Sequence, residues 1–185
     1  MGQLTFILGG ARSGKSSYAQ RLAEERGGSV LFIATAQAGD EEMRARIARH
    51  QAERPDGWTT LEAPMDIAGA LARHSGQAET VVLDCITLLV TNLLMAHGGD
   101  DGVDEAAAQA AVEAELAALT AAIQSSAGDW IVVSNEVGLG LVPAYPLGRA
   151  YRDLLGWANQ RLASWANEVF YLVAGIPVPV HKFRD

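Results

Sequence analysis

The sequence has few cysteines and few charged residues, and each scarcity excludes a class of protein. Cys85 is the single cysteine among 185 residues, so an internal disulfide framework is excluded and a reducing compartment is indicated. Charged residues make up 19% of the chain and apolar residues 49%, a balance typical of a folded globular protein. We expect one compact domain over 1–185.

Basic residues are outnumbered by acidic ones, 14 to 22, which gives a formal net charge of −8. A general nucleic-acid or anionic-membrane surface is therefore not expected, and any bound polyanion needs a local concentration of positive groups. No apolar run approaches the length of a bilayer span, and the N-terminus lacks a basic region ahead of an apolar stretch. We expect a cytoplasmic protein.

Short apolar runs alternate with helical segments along the chain. The predicted strands cover 4–8, 30–34, 80–84, 130–134 and 169–173, the last of these ending the series. The predicted helices cover 16–26, 40–54, 65–73, 87–95, 103–124 and 147–167. Continuous apolar strands between helices indicate an α/β three-layer sandwich, with a mostly parallel central sheet and helices on both faces. Turn formers at 98–102 predict the least ordered loop.

Residues 9–16, GGARSGKS, match the pattern G-x-x-x-x-G-K-[ST] of a phosphate-binding loop, the P-loop. Its members are Gly9, Gly10, Ala11, Arg12, Ser13, Gly14, Lys15 and Ser16. Glycines let backbone N–H groups surround a phosphate, and the following helix adds the positive end of its dipole. Lys15 supplies a charge for the outer phosphates, and the Ser16 hydroxyl is placed to reach magnesium. The pattern predicts a P-loop NTPase-type fold that binds ATP or GTP.

Asp84 ends the predicted strand 80–84, TVVLD. A carboxylate at the end of an apolar strand has the form of the acidic motif that holds magnesium beside a P-loop. The alternative is an aspartate that only enters a turn. With a P-loop in the same chain, we predict that Ser16 and Asp84 are the magnesium-binding pair.

Further segments narrow the choice within P-loop proteins. In order, they are 9–16, 33–36 (IATA), the 40–55 helix with Arg46, His50 and Arg54, 84–85 (DC), 90–94 (VTNLL) and 134–140 (SNEVGLG). Their content and order resemble the bifunctional adenosylcobinamide kinase/adenosylcobinamide-phosphate guanylyltransferase family of cobalamin biosynthesis. The resemblance runs from Leu4 to about Pro177.

The resemblance implies two reactions. The first phosphorylates adenosylcobinamide with a nucleoside triphosphate, ATP or GTP. The second transfers GMP from GTP to adenosylcobinamide phosphate through a guanylylated histidine, at the position of His50. The resemblance places the GTP contacts on 9–16, Ala34, Thr35, Ala36, Gln51, Ala52, Glu53, Arg54, Glu62 and Asp84. It also implies a homotrimer.

The residues around His50 support a role as nucleophile independently of the family resemblance. On a helix, Met43, Ile47 and His50 share one face, so His50 points toward the body of the protein. Arg46 and Arg54 lie four residues to either side and disfavour the protonated ring, which leaves a neutral nitrogen able to attack phosphorus. The alternative is a half-buried histidine near a helix end, with both arginines solvated.

Other polar residues carry open alternatives. Glu62, at an apparent strand end, binds a ribose or a base, or is a solvated turn residue. Asn135 and Glu136 follow the fourth predicted strand, where ligands of open α/β sheets gather, and serve either substrate contact or loop geometry. Arg149 and Arg152 bind substrate phosphate or form the polar side of a helix.

Two other functions fit a P-loop. A simple small-molecule kinase would share the loop and lack the covalent step. A nucleotide-dependent switch would bind partners and transfer nothing, but the sequence has no Asn-Lys-x-Asp guanine-reading motif. The bifunctional kinase and guanylyltransferase is the favoured interpretation.

Overall fold

The computed structural model describes residues 2–37, 39, 41–52, 54–99 and 102–183. Within α2, introduced below, it does not describe the side chains of Glu42, Met43, Arg46, Arg49 and His50. The helix start that the sequence predicts at Asp40 lies outside the described residues, as does Glu53 from the predicted GTP contacts.

Strands and helices alternate as the apolar runs predict. The strands are β1 (Leu4–Gly9), β2 (Val30–Ala34), β3 (Thr59–Glu62), β4 (Thr80–Asp84), β5 (Gly98–Gly99), β6 (Gly102–Val103), β7 (Asp129–Val133), β8 (Glu168–Val173) and β9 (Ile176–Pro179). The helices are α1 (Lys15–Arg26), α2 (Glu41–Ala52), α3 (Ile67–Arg73), α4 (Ile86–Ala96), α5 (Glu105–Ser125) and α6 (Pro146–Trp165), followed by a 3₁₀ helix, Val180–Phe183.

Seven strands form the main sheet, in the order β3-β2-β4-β7-β1-β8-β9. All neighbours pair in parallel except β8 and β9. The register aligns Ala34 with both Glu62 and Asp84, and aligns Asp84 with Val133. The carboxyl ends of four strands therefore meet at one edge, where open α/β sheets bind their ligands.

Successive strand residues enter two different cores, because side chains alternate across a sheet. Phe6 and Leu83 join a core that includes residues of α3, α4, α5 and α6. Ile7 and Val82 join a second core with Ala19 and Ala23 of α1. Each fully buried side chain of this kind contributes about 1.5–3 kcal/mol. Helices thus cover both faces, which confirms the predicted α/β three-layer sandwich.

The prediction that 169–173 is the last strand is wrong. The chain turns at Ala174 and Gly175, both with positive φ, and returns as antiparallel β9. Pro177 and Pro179 obscured this strand in the sequence, because proline removes a ladder donor and is confined to edge strands. The Gly175 N–H donates to the Ser13 carbonyl at 2.9 Å, so the hairpin supports the P-loop.

The segment predicted as the least ordered loop, 98–102, is ordered at its described ends. Gly98 pairs with Val103, and Gly99 pairs with Gly102, in a short antiparallel ribbon. The Asp104 N–H donates to the His97 carbonyl at 3.1 Å, which closes the ribbon. Asp100 and Asp101 lie outside the described residues. Turn formers here predict the reversal of the chain but not the pairing beside it.

One described helix, α5, is long and apolar enough to cross a membrane by length and composition. One such helix is weak support for a span, because the core helix of a soluble protein passes the same test. The helical face that the sequence predicts, with Val112, Leu116, Leu119 and Ile123, is buried in the core. The described residues therefore contain no strong membrane span.

Candidate active site

A cavity of about 240 Å³ opens at the carboxyl edge of the sheet. Its wall includes the end of the P-loop, the ends of β2, β3 and β4, and residues of α2 and α4. The lining residues are Ser16, Phe32, Ala34, Ala36, Ile47, Gln51, Arg54, Glu62, Asp84, Cys85, Thr87, Leu88 and Asn135. Seven of the predicted site residues are among them, although they span more than sixty positions of the chain.

The P-loop joins β1 to α1 through backbone that only glycine adopts easily. Gly14 has φ +92°, and a side chain there would place its Cβ 3.2 Å from the Gly175 Cα. At Gly9 an added Cβ would lie 2.7 Å from both the Leu172 carbonyl oxygen and the Ser13 hydroxyl. These close approaches explain why glycine stands at the first and sixth positions of the motif.

Lys15 is buried, with 7% of its surface exposed. Its ammonium donates to the Gly10 carbonyl at 2.6 Å and to the Ser13 hydroxyl at 3.4 Å. Burial lowers the pKa of Lys15, and the negative charge of Asp84 partly offsets that effect. Among the described residues, this buried cation contacts one carbonyl and one hydroxyl and no carboxylate, which favours an anionic ligand.

Arg54 supplies a second cationic side chain in this region and lines the cavity. Its guanidinium carbon lies 3.8 Å from the centre of the Phe32 ring, and one terminal nitrogen donates to the Thr60 hydroxyl at 3.1 Å. Burial lowers the pKa of Arg54, and Asp84 and Glu62 partly offset the shift. Its Nε is buried and has no hydrogen-bond partner among the described residues. The guanidinium as a whole lines the cavity, and its positive charge suits an anionic ligand.

Helix α2 contributes Ile47 and Gln51 to the wall, one helical turn apart. His50 lies in this helix directly before Gln51, and its side chain lies outside the described set. Ala52 is exposed and does not line the cavity. The structure thus brings the helix of the predicted nucleophile to the P-loop cavity, while the predicted orientation of His50 stays a prediction.

The other three histidines lie away from the cavity, at helix ends or against neighbouring residues. His74 and His97 are the residues that end α3 and α4. The His181 ring contacts the backbone of Val169 at 3.1–3.2 Å and packs edge-on against Phe170. None of the three lines the cavity, so His50 stays the preferred candidate.

Thr35 and Cys85 lie at neighbouring strand ends and contact each other. The Thr35 side chain is fully buried, and its hydroxyl accepts from the Cys85 N–H and donates to the Cys85 carbonyl, both at 2.8 Å. Burial, with the negative charge of Asp84, raises the pKa of the Cys85 thiol to about 12. A protonated thiol is a poor nucleophile, so Cys85 is not a candidate for the covalent step.

The structure distinguishes between the alternative roles of the polar residues that follow β7. Asn135 lines the cavity, whereas Glu136 accepts from the Gly138 N–H within its own loop. Arg149 donates to the Pro143 and Ala144 carbonyls, and Arg152 pairs with its neighbour in the chain. Neither arginine lines the cavity, in agreement with the polar side of a helix.

Sequence reasoning missed the apolar part of the wall. Phe32, Ile47 and Leu88 line the cavity together with Thr87, yet each reads in the sequence as an ordinary strand or helix residue. Only their positions in the fold mark them as site residues: Phe32 lies in β2, Ile47 lies in α2, and Thr87 and Leu88 lie in the first turn of α4. Those positions follow from strand order, which local patterns do not contain.

The described residues contain no group of three or more His, Cys, Asp or Glu side chains that could hold a metal ion. The cavity offers instead the Ser16 hydroxyl and the Asp84 carboxylate. Oxygen donors in this small number suit magnesium, which keeps several waters and takes its remaining ligands from substrate phosphates.

A family model described as cobinamide kinase / cobinamide phosphate guanyltransferase matches residues 5–180. The chain belongs to this family. The match covers every element around the cavity, from β1 through β9. It confirms the resemblance that the ordered sequence segments indicate.

Named relatives are similar in sequence to this chain over nearly their whole length. The bifunctional adenosylcobalamin biosynthesis protein CobP of Pseudomonas aeruginosa is 45% identical over 174 residues, 94% of this chain and 95% of the relative. The proteins named CobU from Escherichia coli and Salmonella typhimurium are 42% and 41% identical, and each alignment covers 96% of this chain and 99% of the relative.

Among solved structures, the RadB recombinase has a similar fold, with a TM-score of 0.50. The two are 16% identical, and the match covers 91% of this chain and 73% of the recombinase. At that identity the likeness shows a shared fold alone. Membership of the cobinamide kinase / cobinamide phosphate guanyltransferase family, by contrast, makes this chain a bifunctional enzyme of cobalamin biosynthesis.

Proposed function

We propose that the enzyme phosphorylates adenosylcobinamide with ATP or GTP and then transfers GMP from GTP through a guanylylated His50. The products of the second step are adenosylcobinamide-GDP and pyrophosphate. One observation carries the proposal: a single cavity is lined by the end of the P-loop, by Asp84 and Arg54, and by the helix that contains His50. Phosphate-binding groups and the nucleophile's helix therefore face the same space.

The two ends of the cavity suit the two ends of a nucleotide. The P-loop backbone, Lys15 and the start of α1 bind the triphosphate, because they supply N–H donors and positive charge. At the other end, Glu62 accepts hydrogen bonds from a ribose or base. The Arg54 guanidinium, which lines the cavity, supplies positive charge and terminal N–H donors for oxygens of the nucleotide.

The kinase step needs no nucleophile from the protein. The hydroxyl of the aminopropanol arm of adenosylcobinamide attacks the γ-phosphorus and releases its proton to solvent. The bond from the γ-phosphorus to the bridging oxygen breaks, and the nucleoside diphosphate leaves. Lys15 and the P-loop N–H groups stabilise the charge that develops on the phosphoryl oxygens.

The guanylyl step uses the neutral imidazole of His50. A ring nitrogen attacks the α-phosphorus of GTP, a P–N bond forms, and the bond from the α-phosphorus to the bridging oxygen breaks to release pyrophosphate. A phosphate oxygen of adenosylcobinamide phosphate then attacks the same phosphorus, breaks the P–N bond and regenerates His50. Arg54 and Arg46 are our candidates for offsetting the charge on the α-phosphoryl oxygens.

The donors present fit magnesium, with Ser16 and Asp84 as the residues that would hold it. Magnesium bound there neutralises charge on the phosphate oxygens. The chain's own residues place the phosphates. Ser16 lies in the first turn of α1, directly after Lys15, and Asp84 aligns with Ala34 at the edge of the sheet.

Asp84→Asn is expected to raise the magnesium concentration needed for half-maximal activity at least about tenfold, because an amide oxygen carries no full charge for the cation. Both reactions are measured across a magnesium titration. Asp153→Asn is the matched control, since Asp153 pairs with Arg152 outside the cavity. A magnesium dependence unchanged by Asp84→Asn in folded protein removes Asp84 from the site. Full activity in excess chelator contradicts the magnesium requirement itself.

Labelled GTP separates the proposal from a simple kinase. With label on the α-phosphate, the bifunctional enzyme retains label on the protein before the acceptor arrives. With label on the γ-phosphate, the protein retains none, because that phosphorus leaves in pyrophosphate or passes directly to the alcohol. Active enzyme that retains neither label is a direct-transfer kinase.

We also propose a cytoplasmic homotrimer of a single domain over 1–185. The family likeness over nearly the whole chain supports this assembly. Sedimentation equilibrium tests it, with three times the chain mass expected and a monomer mass as the contradicting result.

A further inference from the structure

Asn92 lies on α4, behind the wall of the cavity, and is half-buried. It belongs to the segment 90–94, to which the nucleotide chemistry above assigns no role. Its side-chain Nδ2 donates to two backbone carbonyls, those of Thr35 and Pro64, at 2.9 Å each. One nitrogen thus uses both of its hydrogens to join two segments that are 29 residues apart.

The two carbonyls follow the ends of two neighbouring strands, β2 and β3, whose last residues line the cavity. Thr35 lies between Ala34 and Ala36, which both line the cavity. Pro64 follows two residues after Glu62, which also lines it. By holding both carbonyls, Asn92 joins the chain just past β2 to the chain just past β3.

Two other contacts in this region are single hydrogen bonds between backbone groups. The Ala63 N–H donates to the Ala34 carbonyl at 2.9 Å, and the Thr35 N–H donates to the Asp84 carbonyl at 3.3 Å. These bonds continue the sheet just past its ordered strands. Asn92 is the contact in this set that comes from a helix, so it fixes the strand ends relative to α4 and to Leu88, which lines the cavity from the same helix.

From this geometry we infer that Asn92 is a positioning residue for the nucleotide. Its amide holds the Ala34–Ala36 wall and the Glu62 wall at the separation that GTP requires, and it touches no reacting atom. The inference rests on the proposed function, because it takes the cavity as the GTP site.

The chemistry of the position is specific to an amide nitrogen. Two carbonyl oxygens need two donors, and Asn supplies both from a single atom. Asp has nearly the same shape but presents only acceptors when ionised, so it would repel both carbonyls. Asn92→Asp therefore changes the spacing of the two walls with almost no change in side-chain volume.

Steady-state kinetics with GTP test the inference. Asn92→Asp is expected to raise the KM for GTP in guanylyl transfer at least about tenfold, with kcat within about threefold of wild type, since looser walls weaken binding and leave the reacting groups in place. The dissociation constant for GDP with magnesium, measured by calorimetry, is expected to rise in parallel.

Leu93→Ala is the matched control, because Leu93 is the next residue of α4 and is buried in the core instead of bonded to the wall. It lowers stability while its KM for GTP is expected to stay within about twofold of wild type. If Asn92→Asp does not fold, Asn92→Ser replaces it. Serine leaves one hydroxyl donor for the two carbonyls, and we expect a KM at least about fivefold above wild type.

An Asn92→Asp protein with lowered stability and unchanged KM and GDP affinity overturns the inference, as does a fall in kcat alone. A Lys15→Met protein in the same calorimetry distinguishes failure of the proposed function. If Lys15→Met binds GDP as wild type does, the cavity is not the nucleotide site. If Lys15→Met loses GDP binding and Asn92→Asp keeps it, only the positioning role is lost.

Discussion

Lys15→Met is expected to reduce both reactions by at least about a hundredfold, because it removes a charge-stabilising contact worth roughly 3 kcal/mol at the transferring phosphates. The substitution keeps most of the side-chain length and removes only the ammonium. The measurement is kcat/KM for phosphorylation of adenosylcobinamide and for guanylyl transfer, on protein whose fold is checked by circular dichroism.

The Lys15→Met substitution is expected to leave the stability of the folded protein unchanged or to raise it. Burial lowers the pKa of Lys15, which means that the folded protein holds the charged form less favourably than water does. A neutral methionine avoids that unfavourable term, so the melting temperature of Lys15→Met is expected to equal or exceed that of wild type. Lys182→Met is the matched control, since Lys182 is the only other lysine of the chain and is exposed. Near-normal turnover of folded Lys15→Met contradicts the P-loop assignment.

His50→Gln and His50→Ala are expected to abolish guanylyl transfer. Glutamine keeps a polar side chain of similar length, but an amide nitrogen is not nucleophilic, so the P–N bond cannot form. Phosphorylation of adenosylcobinamide is expected to persist in part, because the substrate hydroxyl attacks the γ-phosphorus directly. The measurements are the two reaction rates and the amount of α-labelled GMP retained on the protein.

The label on wild-type protein is expected to be labile in acid and comparatively stable in base, as a P–N bond is and a carboxyl phosphate is not. His74→Ala is the matched control, because His74 ends α3 and does not line the cavity. Equal loss of both reactions in His50→Gln would indicate that His50 acts in nucleotide binding. Retained label in folded His50→Gln would place the nucleophile elsewhere.

Local patterns were sufficient to predict most of the fold. The apolar runs at β2 and β4 have the predicted bounds, 30–34 and 80–84, because buried parallel strands are continuous apolar segments between turn formers. The buried face of α5 likewise follows from its 3.6-residue period. Strand β9 could not be predicted because its sequence, IPVP, carries two prolines, and the Ala174-Gly175 turn before it is not one of the dipeptides typical of a tight hairpin.

The residues of the candidate site also fall into two groups, those that local sequence patterns predict and those that they do not. The P-loop could be predicted because its chemistry lies in eight consecutive residues, and Asp84 could be predicted because it ends an apolar strand. Phe32 and Asn92 could not, since one stacks under Arg54 and the other bonds Thr35 and Pro64 only after the sheet has brought distant segments together. Long-range packing assigns such residues to a site, and no local period records it.

The intact mass of the protein after incubation with GTP and magnesium, without acceptor, tests the bifunctional mechanism most directly. Wild type is expected to gain the mass of one guanylyl group and to lose it again when adenosylcobinamide phosphate is added. His50→Ala is expected to keep its unmodified mass under the same conditions. A guanylyl adduct on folded His50→Ala, or no adduct on wild-type protein that is active in guanylyl transfer, would contradict the covalent role of His50.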